Sequence, residues 1–136
     1  MKNVYANTIV FVKDLNKSKE FYSKILGMKI IDDYGTIVFF ENRLVLHSAA
    51  SILRTVFNKL KISGLIKQGR KNILIYFETD DLNGFYEKTA DRVKIIHGIK
   101  KQAWGQNVFR FYDPDGHMIE FGEPFRIEEL KNENNK

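Results

Sequence analysis

The sequence predicts an α+β fold in which two tandem βαβββ modules form an incomplete eight-stranded barrel around a central cavity. Three observations predict it. A chain of 136 residues is long enough for one domain with a real core. Its apolar residues have the spacing of a strand in some segments and of a helix in others, and the order of these elements repeats at half length. The expected boundaries of this single domain are residues 4–49 for module one, 51–64 for a linker helix, 72–123 for module two and 124–136 for a polar tail.

The composition excludes several classes of protein. With 43% hydrophobic and 29% charged residues the chain is close to the globular average. The absence of cysteine removes disulfide frameworks, thiol nucleophiles and zinc sites built on sulfur. No apolar run has the length of a membrane span or the form of a secretory signal. We therefore expect a cytoplasmic protein that does not bind membranes.

The net charge of +5 comes from 22 basic and 17 acidic residues, and it is unevenly distributed. Residues 42–77 and 92–112 contain no acid but many lysines and arginines. Such stretches are typical of a solvated basic face, or of a pocket rim that attracts a carboxylate or a phosphate. Because the chain has no zinc-finger spacing, helix-turn-helix pattern or aromatic RNA-binding signature, we expect no nucleic-acid partner.

Module one is predicted to begin with a strand over residues 4–12, which are rich in β-branched and aromatic side chains. Asp14 or Asn16 can cap the helix that follows, and Gly27 can end it as the C′ residue. Turn signals then separate three short apolar runs, which predict strands at residues 28–32, 36–40 and 43–48.

The linker helix is predicted to start at Ser51 as the cap and to end near Gly64. Module two then repeats the first pattern, with a helix after Asp80-Asp81 and a tight turn at Asp113-Pro114-Asp115-Gly116. Its predicted strands are residues 73–77, 93–96, 108–112 and 118–121.

The two halves also agree in sequence. Asp14-Leu15-Asn16 and Asp81-Leu82-Asn83 stand 67 residues apart, and each triplet leads into a Phe-Tyr pair on the following helix. The shared order of elements favours a duplicated module. Because loops and inner faces of both copies converge in such a protein, we expect a ligand cavity there.

The chain resembles the glyoxalase, bleomycin-resistance and extradiol dioxygenase superfamily, also called the vicinal oxygen chelate proteins. The resemblance covers residues 4–123. The motifs that carry it are Val12-Lys13-Asp14-Leu15 with Ser18, Phe21-Tyr22, Leu26-Gly27, Trp104-Gly105-Gln106, and Phe111-Tyr112-Asp113-Pro114-Asp115-Gly116-His117 with Ile119-Glu120. The superfamily includes metal-dependent isomerases, transferases and dioxygenases as well as metal-free antibiotic binders, so fold alone does not decide function.

The resemblance implies four metal-ligand positions, which fall at Asn7, His47, Leu74 and Glu120. Only His47 and Glu120 are good donors, so they are the candidate ligands for a divalent metal such as Zn, Ni, Mn or Fe. A catalytic zinc normally has three protein ligands, which makes this standard site incomplete. His117 should face away from Glu120 in an alternating strand, and His97 could contribute only if its strand end bends inward.

The candidate site combines polar and apolar side chains expected to face the cavity. Glu120 is the candidate catalytic residue, as a general base or a metal ligand. The candidate ligand-binding residues are Tyr5, Asn7, His47, Tyr76, Trp104, Arg110 and Met118. Structural alternatives stay open: Glu120 as an exposed acid near a strand end, His47 as a hydrogen-bonded strand histidine, and Trp104 as a cover of the barrel edge.

Three hypotheses for function follow. The first is a bleomycin-resistance-like binder of a small polar or anionic organic compound, without the standard metal site. The second is a metal-dependent glyoxalase-like lyase or isomerase, a fosfomycin-resistance-like transferase or a dioxygenase, with His47 and Glu120 as metal ligands. The third is a non-enzymatic partner-binding module. The resemblance, together with the need to cover open sheet edges, implies a homodimer.

Overall fold

The computed structural model of the protein describes residues 1–58 and 67–125. The described chain divides into two compact units, Met1–Gln68 and Gly69–Lys136. The first unit contains β1 (Ile9–Val12), α1 (Leu15–Glu20), β2 (Ile30–Asp33), β3 (Ile37–Phe40), β4 (Val45–Ser48) and α2 (Ala49–Phe57). The second unit contains β5 (Leu74–Glu78), α3 (Leu82–Thr89), β6 (Lys94–Lys101), β7 (Asn107–Tyr112) and β8 (Met118–Gly122). The predicted α+β class and both βαβββ modules are confirmed.

Each unit has one open four-stranded mixed sheet. The strand orders are β1-β4-β3-β2 in the first unit and β5-β8-β7-β6 in the second. In both units the first strand runs parallel to the fourth, and the remaining neighbours are antiparallel. This equivalence is the structural form of the repeat seen in the sequence.

The first strand is shorter than predicted. It begins at Ile9 rather than at residue 4, because its partner β4 has only four residues and pairs Ile9 with Val45. Tyr5 and Asn7 therefore lie outside the sheet. Tyr5 is 72% exposed, and its hydroxyl is hydrogen-bonded to that of Thr8.

Asp14 caps α1, as one of the two predicted candidates, by accepting a hydrogen bond from the Lys17 amide at 3.1 Å. A π-helical turn, Phe21–Ile25, extends the helix. Gly27 follows with a φ of +75°, the left-handed conformation expected after a helix end.

The linker helix starts three residues earlier than predicted. Ser48, not Ser51, is the cap: its hydroxyl accepts from the Ser51 amide at 3.4 Å. Asn58 ends α2 in the left-handed conformation. The predicted end near Gly64 lies outside the described residues, as does most of the predicted polar tail.

In the second unit one face of the sheet packs on α3 through aromatic rings. Phe85 of α3 stacks on Phe121 with ring centroids 4.3 Å apart, and Phe121 in turn stacks on Phe77 at 4.7 Å. Phe109 and Phe111 lie fully buried in the same cluster. Since neighbouring strand residues point to opposite faces, the intervening side chains project from the face opposite α3.

Strand β6 is longer than predicted, and its pairing is irregular. It spans eight residues instead of the expected four, so His97 lies inside it rather than beyond its end. Ile95 of β6 pairs with Phe111 of β7, and the next residue of β7, Arg110, pairs with His97. Ile96 is therefore an extra residue on the β6 side of the ladder. This bulge brings His97 opposite Arg110. Within the described residues no helix is long and apolar enough to cross a membrane.

Candidate functional site

Four polar side chains lie in one line across the second sheet, on the face opposite α3. Tyr76 of β5 pairs with Glu120 of β8, Glu120 with Arg110 of β7, and Arg110 with His97 of β6. We call this set the polar row. Register partners share a face of a sheet, so the backbone ladder alone places these four side chains side by side.

Arg110 is the centre of the polar row. Its Nε donates to Glu120 Oε1 at 2.6 Å, and its Nη2 approaches the same oxygen at 2.6 Å. Nη1 lies 3.0 Å from His97 Nε2, and Nη2 donates to Gln102 Oε1 at 3.3 Å. Glu120 is only 6% exposed, so the guanidinium provides the charge that a buried carboxylate needs.

A second set of hydrogen bonds joins the polar row to Trp104. The Trp104 indole donates to Gln106 Oε1 at 2.9 Å, and Gln106 Nε2 donates to the Tyr76 hydroxyl at 2.8 Å. Tyr76 in turn donates to Glu78 Oε2 at 2.5 Å. Since an indole can only donate, its contact fixes which end of the buried Gln106 amide carries the oxygen. Gln106 thereby links an exposed aromatic ring to the row.

Gly122 leaves the space that Gln106 occupies. A Cβ at Gly122 would lie 2.4 Å from Gln106 Nε2 and 3.2 Å from a Val108 methyl group. Any larger residue would therefore displace the amide that bridges Trp104 and Tyr76.

The environment of Tyr76 favours its neutral form. Burial and the hydrogen bond to Glu78 raise the pKa of Tyr76 to about 12, and the opposing donor from Gln106 does not cancel this. The charge of Glu120 also acts in the raising direction. The phenol consequently remains a proton donor at neutral pH.

Apolar side chains adjoin the polar row on the same face. Next to the polar row on this face, Leu74 of β5 pairs with Met118 of β8, and Met118 pairs with Tyr112 of β7. Leu74 is 43% exposed, and Trp104 is 54% exposed. Charged groups thus stand next to accessible hydrocarbon and aromatic surface, the mixture that small-molecule sites use.

The remaining predicted residues belong to the first unit. His47 lies on β4, half-buried, with Nδ1 3.1 Å from the Ser48 carbonyl oxygen. It pairs with Phe11, on the sheet face opposite the one that packs on Tyr22. Tyr5 and Asn7 precede the strand. Tyr76, Arg110, Met118 and Glu120 share one face, whereas Tyr5, Asn7 and His47 stand in the other unit.

The donor set does not fit the metal site that the resemblance implies. Leu74 offers no ligand atom, and Asn7 offers at best an amide oxygen. At Glu120, Oε1 already accepts two bonds from a guanidinium, whose positive charge opposes a second cation there. Arg110 therefore competes with a metal ion for the Glu120 carboxylate.

One group of three donors in the described chain has its ligand atoms within 4.8 Å of one another and could hold a metal: Asp113, Asp115 and His117. Two of these side chains, Asp113 and His117, are hydrogen-bonded to each other in the β7–β8 turn. Asp113 Oδ1 accepts from the amides of Asp115 and His117, at 2.9 and 2.8 Å, and Oδ2 lies 2.8 Å from His117 Nδ1. Burial lowers the pKa of His117, but the hydrogen bond to Asp113 and the charges of Asp113 and Asp115 raise it by more. These contacts support the structural role predicted for this turn.

Sequence reasoning missed four members of the two networks: His97 as a partner of Arg110, and Glu78, Gln102 and Gln106. Only Gln106 had a signal, because it stands in the Trp104-Gly105-Gln106 motif. No sequence motif indicated the bulge that places His97 opposite Arg110.

A protein-family model and a related protein each match most of this chain. A family model described as a glyoxalase-like domain matches residues 5–126. A metallothiol transferase FosB from Lysinibacillus sphaericus (strain C3-41) is 27% identical over 120 residues, which cover 85% of this chain and 79% of that protein.

Several solved structures are also similar to this chain. A protein of unknown function from Agrobacterium tumefaciens str. C58 is 42% identical with a TM-score of 0.85, covering 92% of this chain and 97% of that one. A glyoxalase/bleomycin resistance protein/dioxygenase from Nocardioides (19% identity, TM-score 0.70, 90% and 84% coverage) has the same fold. So has a lactoylglutathione lyase from A. tumefaciens (23% identity, TM-score 0.64, 91% and 96% coverage).

Proposed function

Because the chain belongs to the glyoxalase-like domain family, we propose that it binds a small organic compound against the polar row of its second unit. The row itself is the observation that supports this most directly. It sets a buried carboxylate, a guanidinium and a phenol beside exposed Leu74 on one sheet face, and Gln106 joins the row to exposed Trp104. Ligand sites are mostly apolar with a few placed polar groups, and this face has that composition.

The chemistry of the row suggests the class of compound. Arg110 can only donate hydrogen bonds, so it selects an oxygen acceptor such as a carboxylate, a carbonyl or a phosphonyl group. Leu74, Met118 and Trp104 offer contact to an apolar or aromatic body. The expected ligand is therefore a polar or anionic compound with a hydrophobic part.

Fluorescence can test this, because Trp104 is the only tryptophan of the chain. We would titrate the protein with benzoate, phosphonoacetate, reduced glutathione and S-lactoylglutathione, and follow its emission together with its melting temperature. At least one compound should change both signals, since binding to the native state stabilises it. Arg110→Lys keeps the charge but loses the planar fork, and should weaken binding about tenfold.

Arg92 provides the matched control, because it is an exposed arginine outside the polar row. Arg92→Lys should bind as the wild type does. If no compound changes the Trp104 emission and the melting temperature, the proposal is contradicted. Equal binding by the Arg110 and Arg92 variants would also contradict it.

A metal-dependent reaction is the second candidate, and the name of the 27% identical metallothiol transferase favours it. In this version the protein is a glyoxalase-like lyase or isomerase, or a fosfomycin-resistance-like transferase, with His47 and Glu120 as the candidate ligands. Elemental analysis after purification without chelators or a histidine tag tests it. Less than about a tenth of an equivalent of any transition metal would count against it, because a catalytic site must retain its ion.

We also propose a homodimer. Both sheets are open, and an edge strand presents unpaired backbone groups that a second copy of the chain can cover. Light scattering coupled to size-exclusion chromatography should give twice the 15.9 kDa chain mass; a monomer across the accessible concentration range would contradict this.

A further inference from the structure

Glu120 is held by a guanidinium at the position where the resemblance implies a metal ligand. The carboxylate is buried, and Oε1 accepts from Arg110 Nε and Nη2, both at 2.6 Å. Arg110 and Glu120 are also register partners, so the β7–β8 ladder itself fixes their separation. The ion pair is part of the fold and not a chance surface contact.

Other polar groups hold Arg110 in place. His97 Nε2 lies 3.0 Å from Nη1, and Gln102 Oε1 lies 3.3 Å from Nη2. These bonds, with the two to Glu120, engage four of the five guanidinium hydrogens and leave one on Nη1. The Arg110 side chain is 24% exposed, so this last hydrogen can reach a ligand.

The other donors in the polar row are already engaged, because the Tyr76 hydroxyl donates to Glu78 and His97 Nε2 faces Arg110 Nη1 at 3.0 Å. The neighbour of Glu120 on the same face of β8 is Met118, which pairs with Leu74. A thioether and a hydrocarbon replace the imidazole and carboxylate donors that divalent ions prefer.

We propose that Arg110 takes the place of a metal ion at Glu120. The guanidinium neutralises the carboxylate permanently and, if the proposed function is correct, offers the ligand oxygen an N–H donor instead of a coordination position. Ligand binding would then be insensitive to chelators. Binding through hydrogen bonds to Arg110 requires no oxidant, no reductant and no exchange of a bound ion.

A double-mutant cycle tests the pairing without any ligand. The free energy of unfolding in urea would be measured in EDTA for the wild type, E120Q, R110M and R110M/E120Q. The proposal expects a coupling between the two positions of about tenfold or more in the unfolding equilibrium constant. The exposed pair Glu20–Lys24, 3.0 Å apart, is the matched control, and its cycle should show little coupling.

Metal binding provides the second readout. Wild type, E120Q and H117N would be dialysed against Zn²⁺, Ni²⁺ and Mn²⁺. If Arg110 holds Glu120, E120Q will bind as much metal as the wild type, whereas any ion at the β7–β8 turn will be lost in H117N. If E120Q does not fold in EDTA, R110K replaces R110M and E120D replaces E120Q in the cycle.

Loss of bound metal in E120Q, or additive energies in the cycle, would overturn the proposal. A negative ligand titration with strong coupling would instead contradict the proposed function alone, so the two failures can be told apart.

Discussion

The His97 imidazole lies between the Arg110 guanidinium and the Gly98 carbonyl oxygen. Its Nη1 lies 3.0 Å from His97 Nε2, and a guanidinium can only donate, so Nε2 must carry a lone pair. Nδ1 lies 2.7 Å from the Gly98 carbonyl oxygen and therefore carries the proton. The two contacts together select the tautomer of His97 that donates from Nδ1 and accepts at Nε2.

Nitrogen NMR can check this tautomer. In a long-range ¹⁵N–¹H spectrum at pH 8, Nδ1 of His97 should have the shift of a protonated nitrogen and Nε2 that of an unprotonated one. Arg110→Met removes the donor to Nε2 but leaves the bond from Nδ1 to the Gly98 carbonyl oxygen, so the Nδ1-protonated tautomer should persist while the Nε2 shift moves. His47 has no contact with Arg110 among the described hydrogen bonds and serves as an internal control. A protonated Nε2 in the wild type would contradict the polar row as described.

Tyr76 should ionise late in an alkaline titration. Partial desolvation and the hydrogen bond to Glu78 raise the pKa of Tyr76 from its ordinary value of 10.0 to about 12, which favours the neutral phenol in the folded state. This stabilising contribution is fully present below pH 10 and is lost as the pH rises through the folded pKa. Ultraviolet absorbance of Tyr76→Phe should lack this late transition, and Glu78→Gln should shift it to lower pH. An ordinary transition for Tyr76 would contradict the partial desolvation and the hydrogen bond to Glu78 that we assign to it.

His117 should make stability depend on pH near neutrality. Burial lowers its pKa, but Asp113 and Asp115 outweigh burial and raise it above 6.5. The contribution is therefore fully present below about pH 6.5 and falls as the pH rises through the folded pKa. The urea midpoint measured between about pH 5 and pH 9 should show this fall in the wild type but much less of it in His117→Asn. An identical pH profile in the two proteins would contradict it.

Gly122→Ala should disturb the bridge between Trp104 and Tyr76. The added methyl group meets Gln106 Nε2 at 2.4 Å, so the amide must move. We expect a loss of about 1–3 kcal/mol in the free energy of unfolding and altered Trp104 emission. In a Gln106→Ala background the same change should cost clearly less, because the colliding amide is gone. Equal costs in both backgrounds would show that the crowding has another source.

The parts of the fold that local chemistry determines were predictable from sequence. Asp14, one of two predicted candidates, caps α1, and Asp81, which was predicted only to precede a helix, caps α3; their Oδ1 atoms accept from an amide at 3.1 and 3.0 Å. The shared face of Glu120 and Met118 follows from strand alternation.

The features that depend on a distant strand were not predictable. The start of β1 is determined by the length of β4, which no residue near Tyr5 or Asn7 reveals. His97 required knowledge of a bulge, and Gln106 required knowledge that Gly122 leaves room beneath it. A single sequence carries propensity but not pairing register.

The extra residue at Ile96 makes chain length, and not only side-chain identity, a determinant of what borders Arg110. If the same residues paired without this extra one, Ile96 would stand opposite Arg110, and isoleucine instead of imidazole would contact the guanidinium. Relatives that differ by a single insertion or deletion in this edge strand should accordingly differ in selectivity even when every aligned polar residue is shared.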